Sequence, residues 1–375
     1  MKTFKIGGVH PKENKLSSQK SIEVLPPAKV AYIPICQHLG APSIPVVEKG
    51  AKVKVGQLIA KPQGFISAHI HSSVSGTVAK IDDLLDSSGY KRKTIVINVE
   101  GDEWDESIDR SEEIKHHTEL GPKEIIDKIN AMGVVGLGGA TFPTFVKLMV
   151  PEGKKAEVLI INGVECEPYL TSDHRLMLEK GEEILVGVSI LMKALNVNKA
   201  IIGIESNKMD AIQHLASLLN KFKGIEIEPL KVMYPQGGEK QLIKAVINRE
   251  VPSGKLPIEV GCVVQNVGTA YAVYEAIQKN KPLIERVVTI TGKSLKNPSN
   301  FLVRIGTPVG DLVEKAGGLP EDTGKIVNGG PMMGKAINSL EVPIVKGSSG
   351  ILIISEKEAG RSELENCIRC GKCVS

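Results

Sequence analysis

Three cysteines close the chain in "CIRCGKCVS", where Cys367, Cys370 and Cys373 stand at C-x2-C-x2-C spacing. That spacing lets three thiolates ligate three irons of one cubane, while a fourth cysteine, followed by proline, serves a neighbouring cluster. A zinc site would want a second Cys or His pair close by, and none follows. A bare redox thiol pair is the other alternative. The sequence stops two residues after Cys373, so the expectation is a ferredoxin-like tail truncated inside its cluster domain. Such a tail would hold no intact cubane and be loosely ordered at most. Cys36, Cys166 and Cys262 stand alone and read as small buried residues of a reducing compartment.

A second stretch, "GLGGATFPT" from Gly136 to Thr144, has the composition of a loop that holds a phosphate. Gly138 and Gly139 permit close backbone approach, and "FPTFVKLM" opens a helix whose free N–H groups and dipole attract an anion. Lys147 lies within that helix. Neither common phosphate signature fits, because a dinucleotide fingerprint needs a third glycine at Thr141 and a P-loop needs an absent Gly-Lys-Ser/Thr. The preceding "PKEIIDKINAMG" carries Ile125, Ile126, Ile129 and Met132 at helical spacing, so the unit reads as helix, loop, helix.

Three more polar loops accompany it. "INGVECEP" supplies Asn162, Glu165 and Glu167; "YPQGGEKQ" puts Gly237, Gly238 and Glu239 at a helix start; "QNVGT" supplies Gln265, Asn266 and Thr269. Strand ends are where open α/β sheets meet ligands. The four loops together describe a crevice for a large, many-hydroxyl, phosphorylated ligand.

The elements that must carry these loops fall into distinct textures. Residues 30 to 100 are rich in glycine, valine and isoleucine, and alternating segments such as Val53 to Ile59 and Val74 to Ile81, punctuated by Gly50, Gly56, Gly64 and Gly76, predict a small β sandwich or barrel. "GDEWDESIDRSEE", with seven acids and one Arg, reads as a solvated linker. From about residue 120 the texture alternates: strands at Val158 to Ile161, Ala200 to Ile204 and Val260 to Val264, with helices over 181–195, 207–222 and 268–279. That order implies a parallel sheet covered by helices. After Val287 come a strand in "VVTITG", a helix in "GTPVGDLVEKAGGL" closed by Gly317 and Gly318, and short β segments to Ile354. "EKEAGRSELEN" predicts a helix that delivers the cysteines.

Length and charge narrow the classes. A chain of 375 residues exceeds one ordinary core. Its 47 basic and 43 acidic residues balance to +4, and aromatics make up 3%; neither suits nucleic-acid binding. No apolar run is long enough to span a bilayer and the N-terminus has no signal-peptide core, so the expectation is a cytoplasmic protein without a transmembrane segment of its own.

The four loops, occurring together and in this order, resemble the C subunit of the Rnf ferredoxin:NAD oxidoreductase complexes, and more distantly the flavin-bearing, NADH-binding subunit of respiratory complex I. The resemblance spans essentially the whole chain. It implies an α/β fold with a central Rossmann-like parallel-sheet flavin/NADH domain at 116–284. Around it stand an N-terminal barrel-sandwich region and linker at 1–115, a soluble-ligand-binding β-grasp module at 285–355, and the start of an iron-sulfur ferredoxin domain at 356–375. It implies FMN, NAD(H) and 4Fe-4S clusters as cofactors, other subunits of a membrane complex and, through them, ferredoxin as partners, and a peripheral position on the inner face of the membrane. Carried over residue by residue, Gly136, Gly138, Gly139, Lys147, Asn162, Glu165, Gly237, Glu239, Asn266 and Thr269 would hold FMN, with Phe142 and Glu167 nearer the nicotinamide nucleotide. The cluster ligands would be Cys367, Cys370 and Cys373. Leu137, Val164 and Gly238 depart from the distant relative's Arg, Asp and Glu.

Hydride passage from nicotinamide to flavin needs no protein base, which suits a sequence with no Ser-His-Asp or Cys-His signature. Electron carriers of cobalamin- or amino-acid-reductase systems share these parts, and a non-redox docking adaptor is the reading from another class. The related subunit of the sodium-pumping NADH:quinone reductase lacks the cysteine run. His69 and His71 read as polar residues of a β-hairpin sooner than metal ligands, and His116-His117 as surface. "VKVGQLIA" and "VSGTVAKI" resemble biotinyl and lipoyl carriers, but "QGFIS" stands where a carrier needs its modifiable lysine, which leaves a scaffold or docking role.

Overall fold

The computed structural model describes residues 1–5, 7–360 and 369. Ile22–Val24 forms β1, followed by β2 (Val30–Pro34), β3 (Ile44–Pro45), β4 (Lys52–Val53), β5 (Leu58–Lys61), β6 (Ile70–His71), β7 (Gly76–Leu85) and β8 (Lys91–Val99). β2, β8, β7 and β4 make one antiparallel sheet in that order, and β3, β5 and β6 a second. Ile33, Ile59, Ile70, Ile95 and Ile97 fill the space they enclose. The turn glycines are there for conformation: Gly50, Gly56, Gly64 and Gly76 all take positive φ, where a side chain would be strained.

The acidic stretch is mostly exposed, as a solvated linker is, and is anchored at Trp104 and the buried Ile108. Val55 bridges to Trp104, whose indole lies between the guanidiniums of Arg110 and Arg304 at 4.6 and 4.5 Å. At the same junction the buried Lys346 donates to the carbonyls of His69 (2.9 Å) and Gly133 (2.7 Å). His69 donates through Nδ1 to the Asn130 carbonyl, and burial pushes the His71 pKa down to about 3.

The central unit runs α1 (Pro122–Ala131), α2 (Thr144–Leu148), β9 (Val158–Asn162), α3 (Ser172–Glu179), α4 (Gly181–Leu195), β10 (Ala200–Glu205), α5 (Met209–Leu218), β11 (Ile225–Leu230), α6 (Glu239–Ile247), β12 (Cys262–Asn266) and α7 (Val267–Gln278). Its four strands are all parallel, in the order β11-β10-β9-β12. Alternate residues of β9 feed two cores: Leu159 and Ile161 pack beneath α4 and α7, Val158 and Ile160 beneath α6. A sheet covered on both faces needs apolar residues at every position, hence the runs read from the sequence. α4 and α7 touch backbone to side: a Cβ at Gly187 would stand 1.9 Å from the Ala270 carbonyl oxygen.

The boundaries shift where local geometry intervenes. The strand expected from Val260 begins at Cys262, because Pro257–Val260 forms a 3-10 turn and Gly261 takes φ +73°. The helix over 207–222 is α5 flanked by 3-10 turns at Ser206–Lys208 and Leu219–Lys221. β11 escaped the sequence reading, since an edge strand alternating Ile and Glu has no continuous apolar run.

The last sheet has the order β1-β14-β13-β17-β15-β16, from β13 (Glu285–Thr291), β14 (Ser299–Arg304), β15 (Thr323–Asn328), β16 (Lys335–Ile337) and β17 (Gly350–Ser355), with α8 (Val309–Lys315) packed on it and α9 (Glu356–Ala359) at its end. Its edge strand β1 comes from the N-terminal segment and pairs in parallel with β14. Cys367, Cys370 and Cys373, and most of the tail expected to be helical, lie outside the described residues.

Candidate functional site

In the four-stranded sheet the chain leaves β9 toward β10 on one side and returns to β12 on the other, so the strand order reverses between β9 and β12. A crevice opens at the carboxyl ends of such a pair. Here those ends are Asn162 and Asn266, and the glycine loop between α1 and α2 lies against them: a Cβ on Gly138 would stand 3.5 Å from that of Asn266.

The loop is pinned at two points. The Gly136 N–H donates to the Phe142 carbonyl at 2.9 Å, and the Leu137 N–H donates to Thr269 Oγ1 at 2.9 Å. Beyond them Gly138, Gly139 and Ala140 are exposed, and among the described residues no acceptor is hydrogen-bonded to their N–H groups. Gly139 takes φ +112° with nothing within 4 Å of where a Cβ would stand. Consecutive free N–H groups on an exposed glycine loop make an anion-binding concavity. Leu137 is buried, its Cδ1 3.5 Å from where a Cβ on Gly268 would stand.

Lys147 of α2 reaches across the crevice floor, donating to Glu239 Oε1 (2.6 Å) and to the Val264 carbonyl (2.9 Å). Both ends of the pair are partly exposed, at 29% and 38%. The flanking Gln265 and Thr144 are buried, and neither Gln265 Nε2 nor Thr144 Oγ1 has a hydrogen-bond partner among the described residues. Buried donors without partners are costly and rare. Both atoms lie inside the protein, so it is the exposed loop N–H groups that suit an anionic group such as a phosphate.

The remaining residues make the opposite wall, and their polar atoms are already committed. Asn162 donates to the Gly237 carbonyl (2.8 Å) and accepts from the Val164 N–H (3.1 Å). Glu165, at a left-handed φ of 47°, accepts from Ser172 Oγ, the Asp173 N–H and the His174 N–H, which caps α3. Asn266 caps α7 through Oδ1, accepting from Gly268 N–H (2.8 Å) and Thr269 N–H (3.4 Å). Glu167 turns to the last module and accepts from the Met332 and Met333 N–H groups at 3.0 and 2.8 Å, burial raising its pKa.

Residues that the sequence reading did not single out hold this wall in place. Lys15, from the N-terminal segment, donates to the carbonyls of Glu165, Glu167 and Leu170 at 2.7–2.8 Å. Burial pushes its pKa down to about 8, which leaves the ammonium charged at neutral pH. Lys208, 1% exposed, donates to the Val164 carbonyl at 2.7 Å. Asp173 accepts from Asn266 Nδ2 at 2.7 Å. No local pattern marks either lysine; "LTSDHR", a hydroxyl pair before an acid, did carry a helix-start signal.

Comparison with known proteins falls on the same divisions. Residues 129–275 match the Nuo51 FMN-binding domain, residues 2–102 the RnfC barrel sandwich hybrid domain, and residues 287–336 the SLBB domain. The chain is 48% identical to the C subunit of the proton-translocating ferredoxin:NAD(+) oxidoreductase complex of Clostridium ljungdahlii, covering 100% of this chain and 81% of that protein. It is 42% identical to the C subunit of the Na(+)-translocating ferredoxin:NAD(+) oxidoreductase complex of Acetobacterium woodii, covering 99% and 84%. With the C subunit of an ion-translocating oxidoreductase complex of Rhodobacter capsulatus the identity is 40%, covering 100% and 72%. Among solved structures, an NAD+-reducing NiFe hydrogenase in its H2-reduced state shares the fold at a TM-score of 0.55 and 20% identity, covering 63% of this chain and 47% of that one.

Proposed function

The chain belongs to the family of C subunits of ion-translocating ferredoxin:NAD(+) oxidoreductase complexes, and from that premise we propose how its crevice serves electron transfer. It is an NADH-dependent flavoprotein subunit that passes electrons between NAD(H), FMN and iron-sulfur centres, and it works as a peripheral subunit beside other subunits of its complex. Among the described residues no helix is long and apolar enough to cross a membrane.

The reading of the site rests on one observation: consecutive N–H groups at Gly138–Ala140 with no partner among the described residues, set where the strand order reverses. They would take the FMN phosphate, and Gly136 would hold the loop's turn through the Phe142 carbonyl. Lys147 would supply positive charge, and its ion pair with Glu239 keeps that charge at the crevice floor. Asn162, Glu165, Gly237, Asn266 and Thr269 would set the wall's shape through the caps they make. Phe142 and Glu167 would bound the nucleotide side, where a carboxylate suits ribose hydroxyls because it only accepts hydrogen bonds. Bound FMN supplies the chemistry that no side chain here offers, accepting a hydride and releasing electrons singly. The protein's part is to bind, orient and keep water from the reacting faces.

Cys367, Cys370 and Cys373 would ligate three irons of a 4Fe-4S cluster, with ferredoxin reached through the complex on the inner face of the membrane. Supplied with FMN, the chain should oxidise NADH with ferricyanide as acceptor. Folded, FMN-saturated protein without such turnover would overturn the reading.

A further inference from the structure

One buried carboxyl beside the crevice has no part in the scheme above. Asp173 stands in the first turn of α3, and its Oδ2 accepts from Asn266 Nδ2 at 2.7 Å. Asn266 in turn holds the N-terminus of α7 through the Gly268 and Thr269 N–H groups, and Thr269 Oγ1 holds the glycine loop at Leu137. A single run of hydrogen bonds thus joins this carboxyl to the loop with the free N–H groups. Behind it lies a cavity lined by Asp173, Tyr271, Glu275, Glu285 and Arg286.

The charged groups that act most on Asp173 come from three other elements, while the adjacent His174 is paired with Asp210. Glu165, from the loop after β9, is a like charge; Arg286 of β13 and Lys208 of the turn after β10 attract. On the far side of the cavity Lys281 pairs with both Glu275 and Glu285, and Arg304 pairs with Glu285, so two cations face two carboxylates there. Burial first, and the Glu165 carboxylate second, push the Asp173 pKa up to about 7, against the pull of Asn266, Arg286 and Lys208.

We propose that Asp173 is a positioning residue for the flavin site, acting through Asn266, and that it makes FMN retention proton-linked. The inference rests on the FMN reading of the crevice. Neutral Asp173 still accepts the Asn266 N–H through its carbonyl oxygen. Ionised Asp173 adds a negative charge one residue from the anion site, and opposes a phosphate there. By reciprocity, FMN binding favours the protonated form.

The test measures FMN affinity by quenching of flavin fluorescence at pH 6 and pH 8, in the wild-type chain and in Asp173→Asn, which keeps the shape and the acceptor but cannot ionise. The ligand phosphate titrates equally against both proteins, so their ratio isolates Asp173. If binding raises the Asp173 pKa by one unit, wild type loses about fivefold affinity between these pH values relative to the variant. An identical pH profile in both proteins overturns this inference alone. Absence of saturable FMN binding by folded wild type overturns the site reading and this inference with it. Should Asp173→Asn fail to fold, calorimetry of FMN binding to wild type at pH 7.5 in two buffers of different ionisation enthalpy decides the matter. Uptake of about half a proton is expected, and zero uptake or net release contradicts it.

Discussion

The two walls of the crevice use similar polar residues to opposite ends. On the wall made by Glu165, Asn266 and Thr269, polar atoms are spent on the protein itself, capping α3, capping α7 and pinning the glycine loop. On the wall made by Gly138–Ala140, backbone N–H groups have no partner among the described residues, and the Lys147–Glu239 pair stays partly exposed. One wall is framework; the other is receptive. Substitutions in the first should cost stability, and substitutions in the second should cost binding or turnover.

The largest effect belongs to a residue of the framework wall that lies far away in sequence. Lys15→Met leaves three carbonyls of the 165–170 loop without their donor, and should lower stability by about 2–4 kcal/mol. Urea unfolding measures it; a loss below about 1 kcal/mol would mean the loop stands without the N-terminal segment. Glu165→Ala comes next, since it uncaps α3 in a loop whose carboxylate takes three donors, at about 2–3 kcal/mol. Equal stability with impaired FMN binding would move Glu165 to the receptive wall. Thr269→Val removes only the acceptor of the Leu137 N–H, at about 1–2 kcal/mol, and should weaken FMN binding in step.

Glu239→Gln should change stability least, by under about 0.5 kcal/mol, because a partly exposed ion pair contributes little. It removes charge at the crevice floor at nearly constant shape, so NADH oxidation should fall far more than thermal stability. Parallel loss of both would assign Glu239 to the framework and erase the contrast.

The legibility of each wall in the sequence follows from what holds it. Val158–Ile161 and Ala200–Ile204 announced themselves because a parallel strand covered on both faces has nothing but apolar positions. β11 did not, because Ile225 and Ile227 alternate with Glu226 and Glu228 at a sheet edge. The glycine loop was readable because what it exposes is backbone N–H, and glycine is the residue that frees a backbone. The framework wall was readable only by residue type. The Asn266 cap is made with residues two and three positions away and is a local signal, whereas that Lys15 would meet carbonyls some 150 positions on depends on partners remote in the chain. Trp104 illustrates the same limit, since the arginine on its far face, Arg304, lies in another module.

The most direct measurement of the central claim, that the free N–H groups of the glycine loop receive a phosphate, is an FMN titration of the wild-type chain beside Gly138→Asp. Gly138 has no positive φ, and a Cβ there meets only Asn266, at 3.5 Å or more, so the variant should keep its melting temperature within about 2 °C. Its carboxylate would face the ligand's phosphate. The account predicts saturable binding of one FMN per wild-type chain and none by the variant at the same concentrations. Undiminished FMN binding by a folded Gly138→Asp protein would contradict it.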